Sequence, residues 1–204
     1  MTETSASLLI DGERRWLLRL ARTTIEARLA ARPLPNDPPP RGTLSERRGA
    51  FVTLMDDGAL RGCIGHVIGT EPLWLSVRSN ALNAAFHDPR FPPIQDSELP
   101  RLTIEISALT PLWEVSKPEE IVIGRDGLII ERAPYRGLLL PQVAERYGWT
   151  SEEFLDQTCR KAGMQPGCWR DPDAIISAFS AEVFSEGDAD RGPSSASDSR
   201  VFTA

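Results

Sequence analysis

"AFVTLMDDGALRGCIG" (residues 50–65) sets two β-prone runs on either side of Asp57-Gly58. That dipeptide suits a tight turn needing positive φ, so the stretch predicts a β-hairpin. Its second arm carries "LRGCIG" (60–65), with glycines on both sides of a cysteine. Glycine inside a strand marks a bulge or a close approach to the backbone. With period-two alternation, Leu60, Gly62 and Ile64 share one face, and Arg61, Cys63 and Gly65 share the other. The first set reads as core. The second puts a thiol two residues from a guanidinium, with glycine leaving room beside the sulfur. A nearby positive charge favours thiolate, the nucleophilic form. The competing reading makes Cys63 a small buried hydrophobe and pairs Arg61 with a surface acid.

Outward from the hairpin, helices and strands separate cleanly. Residues 9–31 place Leu17, Leu20, Ala21, Ile25 and Leu29 at helical intervals among arginines, an amphipathic helix that stops at Pro33. "PLPNDPPPRGTLSERRG" (33–49) is proline-rich with almost nothing to bury, and predicts an exposed loop or mobile linker. "EPLWLSVRSNALNAAF" (71–86) has Pro72 in a helix's first turn and an inward side of Trp74, Val77, Ala81, Ala84 and Ala85. "RLTIEISALTP" (101–111) alternates apolar and polar residues as a half-buried strand does. "IVIGRDGLIIE" (121–131) predicts a second hairpin turning near Asp126-Gly127, and "GLLLP" a strand leading into a short helix that ends at Gly148. Thr150 and Glu153 form a capping box ahead of a helix that Gly163 can close. "AIISAFSAEVF" (174–184) predicts a last strand, and 186–204 is too polar to fold, a disordered tail. Helices and mostly hairpin-linked strands argue for an α+β fold, a mostly antiparallel or mixed sheet flanked by helices.

Composition narrows the function classes. Net charge is −6 and the arginines are scattered, which argues against nucleic acid as a partner. No apolar run approaches the ~20 residues that cross a bilayer, so no membrane partner is expected. The N-terminus lacks the layout of a signal peptide. Three cysteines (Cys63, Cys159, Cys168) at unrelated spacings suit neither a disulfide framework nor a zinc site, and the chain reads as soluble and cytoplasmic. No metal and no cofactor are expected.

A histidine base would have to be His66 or His87, since the chain has only 2 histidines. A Cys–His pair needs hydrogen-bond reach of ~3 Å. In "HDPRFPP" (87–93) Asp88 precedes a proline and Arg90 can reach back to its carboxylate. That arrangement is either a bolted loop or a wall of an anion pocket. Glu105 lies mid-strand opposite the aliphatics, as a solvated carboxylate, a partner for an arginine such as Arg61, or an acid/base group.

These blocks, with "ELPRLTIEISALTPLWEV", "GRDGLII", "GLLLPQVAERYGWTSEEFLDQTCRKAGM" and "CW", resemble the AMMECR domain, a family named after a human candidate-region protein. Its bacterial and archaeal members are labelled protein A of the AmmeMemoRadiSam system. The resemblance runs over residues 10–185 and implies an α+β fold with a smaller subdomain and the hexapeptide near a cleft. It also implies Memo-like and radical-SAM proteins as partners, with an unsettled biochemical activity. Two readings follow. In one, a small-molecule-binding or enzymatic cleft uses Cys63 as nucleophile, Glu105 or His87 as proton carrier, and Arg61, Gly62, Gly65, Asp88 and Arg90 for binding. In the other, the protein is a non-catalytic adaptor.

Overall fold

The computed structural model describes residues 9–39 and 42–188; of the expected disordered tail 186–204, Glu186–Asp188 instead form a short 3-10 turn with Glu186 bonded to Arg22, and the remainder lies outside the described residues. The described residues form two compact units, each with its own core: one of residues 9–111 with 182–188, the other of Leu112–Ala181. Helices and two four-stranded sheets make the fold α+β.

In the first unit, α1 (Asp11–Leu29) and α2 (Leu73–Phe86) lie on a sheet of order β2-β1-β3-β8. Its strands are β1 (Ala50–Asp56), β2 (Ala59–His66), β3 (Leu102–Leu109) and β8 (Ala181–Ser185). The α1 side chains expected inside are buried, Leu29 partly so, and all five expected on α2 are buried. The β1–β2 hairpin turns through Asp57 (φ 48°) and Gly58 (φ 83°), the positive pair that the turn requires. β1 pairs antiparallel with both β2 and β3, and β2 is an edge strand.

The second unit has a sheet of order β4-β7-β5-β6, made of β4 (Trp113–Glu114), β7 (Ile175–Phe179), β5 (Gly127–Arg132) and β6 (Tyr135–Leu139). α3 (Pro141–Tyr147) and α4 (Ser151–Lys161) accompany it, and Phe154, Leu155 and Cys159 of α4 share a core with Leu128, Ile130 and Ala178. Thr150 Oγ1 accepts from Glu153 N at 3.3 Å and Thr150 N donates to Glu153 Oε2 at 2.8 Å, which is the expected capping box.

Four expectations need correction. The proline-rich segment is a largely exposed loop over 33–38, as expected, but it is tied down and its later part includes buried residues. Arg78 Nη1 donates to Pro35 O at 3.0 Å and to Asn36 Oδ1 at 2.6 Å, while Leu44 and Arg48 are buried. The second hairpin turns at Ala133-Pro134, not at Asp126-Gly127. Asp126 is fully buried and accepts Val122 N at 2.8 Å, closing residues 122–126 as a turn before β5. The last predicted strand is two strands that belong to different sheets, because the chain leaves one unit and re-enters the other between Phe179 and Ala181. Finally, Cys159 and Cys168 form a disulfide, although the cysteine spacing argued against one. A helix and a following turn brought their Cα atoms to 6.0 Å, a proximity that spacing does not encode.

Candidate functional site

The hexapeptide's glycines are explained by what stands against them. A Cβ on Gly62 would lie 2.2 Å from the Ala84 carbonyl oxygen, so α2's backbone packs directly on β2. A Cβ on Gly65 would meet the Phe51 ring and the Ala50 oxygen at 2.4 Å. Both positions are filled by close approach. The expectation that glycine clears room beside the sulfur is therefore corrected.

The alternation assumed for Arg61 also fails. Leu54 faces Gly62 while Met55 faces Leu60, which leaves Arg61 as the extra residue of a β-bulge. A bulge re-aims its side chain. Arg61 turns to Glu98, with Nε–Oε1 at 2.6 Å and Nη2–Oε2 at 3.3 Å, and the pairing holds the Glu98 carboxyl below its ordinary range. Neither Cys63 nor Glu105 receives this guanidinium.

Cys63 is half-buried. Thr53 Oγ1 donates to its sulfur at 3.3 Å, and neither histidine supplies that bond. Burial pushes the thiol's pKa up. Thr53 and then Arg90 oppose that rise, and Asp88 and Glu105 add to it. Burial thus works against the thiolate that the Arg61 spacing suggested.

Residues 88–91 act on Cys63's backbone instead. Cys63 N donates to Asp88 Oδ2 at 2.8 Å, and Arg90 Nη2 donates to Cys63 O at 3.0 Å. Arg90 also grips Asp88 through Nε–Oδ1 at 3.0 Å and Nη2–Oδ2 at 2.9 Å. The Arg90 bonds, with those from the backbone N–H groups of Cys63 and Arg90, hold the Asp88 carboxyl down at about 2. An unpaired edge strand exposes a row of donors and acceptors. Here a carboxylate and a guanidinium occupy the pair that a neighbouring strand would take. This is the bolted-loop reading of "DPRF". His87, at the end of α2, is exposed and donates its backbone N–H to Asn83 O at 2.9 Å. His66 bonds back to α2, with Nε2 at 3.2 Å from Ser76 Oγ and Nδ1 at 3.4 Å from Asn80 Nδ2.

What the structure does bring together is a polar row. Cys63 faces Thr53, and Thr53 faces Glu105, so the three cross adjacent strands on the side away from Val52, Leu54, Ile104 and Ile106. One step along, Phe51 faces Ser107, which alternation puts on that same side. Ser107 is 3% exposed and its hydroxyl has no hydrogen-bond partner. Sequence reasoning missed Thr53, whose place between Cys63 and Glu105 depends on strand register; alternation puts Ser107 on the face of Glu105, but nothing in the sequence marks its hydroxyl as unpartnered. Among the described residues, no group of His, Cys, Asp and Glu is arranged to hold a metal ion.

Comparison with known proteins agrees with the motifs. The AMMECR1 family profile matches residues 18–184. The chain belongs to the AMMECR1 family. A protein of Thermococcus gammatolerans is 46% identical over 191 residues, covering 87% of this chain and 92% of that one. Protein Mbar_A1807 of Methanosarcina barkeri is 41% identical over 189 residues, covering 88% and 93%. The crystal structure of the uncharacterized protein PH0010 from Pyrococcus horikoshii is similar with a TM-score of 0.61. It shares 44% identity and covers 84% of this chain and 90% of that one.

Proposed function

We propose that this AMMECR1-family chain is a binding component of a cytoplasmic AMMECR, Memo and radical-SAM system, and that its Cys63–Thr53–Glu105–Ser107 face contacts a small molecule or a partner without covalent catalysis. Membership of that system rests on the sequence resemblance. The observation that carries the binding reading is Ser107. A buried hydroxyl without a partner costs about 1–3 kcal/mol, a cost that a bound group would remove. Against catalysis stand a thiol whose ionisation burial opposes and two arginines paired with Glu98 and Asp88.

The test is iodoacetamide labelling of the native protein from pH 7 to pH 10. Cys63 is expected to react more slowly than a small exposed thiol, accelerating only at the alkaline end. Labelling faster than the exposed thiol at pH 7 would overturn the non-catalytic reading. Binding is checked by size-exclusion chromatography with the Memo-like and radical-SAM proteins at micromolar concentration, comparing the native chain with Ser107→Val. A complex that the variant weakens supports this face as the contact. A complex that the variant leaves unchanged removes Ser107 from it.

A further inference from the structure

The second unit contains a feature that the proposed face does not use. A cavity of about 450 Å³ opens between the loop 163–168 and the turn at Arg132 and Tyr135, and Cys168 lines it. Cys168 is 6% exposed, whereas its disulfide partner Cys159 is 0% exposed in the inward side of α4, beside Phe154 and Leu155. Both cysteines belong to the same buried core, and of the two only Cys168 borders the cavity.

The loop that the disulfide fastens is also held without it. Gly167 N and Trp169 Nε1 both donate to Asp156 Oδ1 at 2.8 Å, and Met164 N donates to Cys159 O at 2.9 Å. Arg132 pairs with Asp171 at the far end of the same loop. None of these bonds involves a sulfur, and a reduced cysteine is a small hydrophobe that a core can hold. A bond that can break while the fold persists meets the structural requirement for a reversible one. In a reducing compartment, disulfides are more often transient or redox-sensing than structural.

We propose that Cys159–Cys168 is a thiol–disulfide exchange site addressed through this cavity, with Cys168 as the sulfur attacked and a low-molecular-weight thiol as the co-reactant. The incoming thiolate bonds to Cys168 Sγ, the S–S bond breaks, and Cys159 leaves and takes a proton. A second thiol then attacks the mixed disulfide and releases the small-molecule disulfide, and the Cys168 thiolate is protonated. The protein pair gains two electrons and the two thiols lose two. Attack at Cys159 is disfavoured because that residue is fully buried and does not line the cavity.

The experiment places the native chain in graded mixtures of reduced and oxidised glutathione, quenches exchange with acid, unfolds the chain in urea, alkylates it with iodoacetamide and maps both cysteines by mass spectrometry. Circular dichroism follows the fold in parallel. The expected intermediate carries glutathione on Cys168 and carbamidomethyl on Cys159, exceeding the reverse species by about tenfold or more, with helicity unchanged. An equal mixture, or a disulfide that yields only when urea unfolds the chain, would overturn the proposal. Cys159→Ser and Cys168→Ser give a second arm. The thiol left in Cys159→Ser takes up glutathione in the folded state and the one left in Cys168→Ser does not. If either variant fails to fold, the wild-type mapping decides alone.

Discussion

At Cys63 the side chain and the backbone have separate partners, and the backbone's are the stronger. The sulfur accepts one bond from Thr53, while the amide and carbonyl are gripped by Asp88 and Arg90. Asp88 is therefore the residue whose loss should be felt. Its carboxyl sits at about 2 against an ordinary 3.8, so the stability it contributes is complete above pH 4 and disappears as pH falls toward 2. The contribution is at most about 2 kcal/mol, since Arg90 is partly solvated. Urea unfolding across pH 2–5 should show this loss in the native chain. Asp88→Asn should flatten the slope in that window while lowering stability above it, and an unchanged slope would count against the clamp. "DPRF" announced the Asp–Arg pair because both residues are close in sequence. Its target, the Cys63 backbone, lies 25 positions away and was not legible.

At the scale of elements, the hairpin and the helix above it are registered by absent side chains. Gly62 permits α2 to sit on β2 at Ala84, and no rotamer can relieve a Cβ that meets a backbone oxygen at 2.2 Å. Gly62→Ala should cost about 3 kcal/mol and lower Tm by roughly 6–12 °C in calorimetry. A drop under about 1 °C would mean that the helix slides freely on the strand. Glycine within a strand correctly announced a close approach, but the sequence could not say from which side. The bulge at Arg61 is the matching case. Simple alternation puts the guanidinium beside the thiol, and a single extra residue against β1 sends it to Glu98.

The whole molecule is built so that its far end completes its beginning. β8 returns to the first unit after the second is finished, bringing Phe184 into the core and Glu182 to the buried Arg48 at 3.1 Å. Glu182 also accepts Leu9 N at 3.0 Å, and Glu186 accepts Ile104 N at 2.9 Å. A chain ended after Ser180 would leave Arg48 without this carboxylate, a loss of about 3–5 kcal/mol before the missing strand is counted. Such a chain should lose α1 and α2 helicity by circular dichroism. Retained helicity with an unchanged unfolding midpoint would show that the first unit does not need its last strand.

The sequence alone determined the α+β class, the helices, the caps at Gly148 and Thr150, the Asp57-Gly58 turn and the family. The helices, caps and turn depend on residues within a turn or two of one another, where periodicity and local hydrogen bonding decide, and the class and family on the order of such local blocks along the chain. Only the tertiary structure decided the split of residues 174–184 between two sheets, the Cys159–Cys168 bond, and the row of Cys63, Thr53, Glu105 and Ser107. Those depend on strand register and on which distant backbone comes close. Register is set by summed packing over a whole sheet face, so no single stretch of the chain carries it.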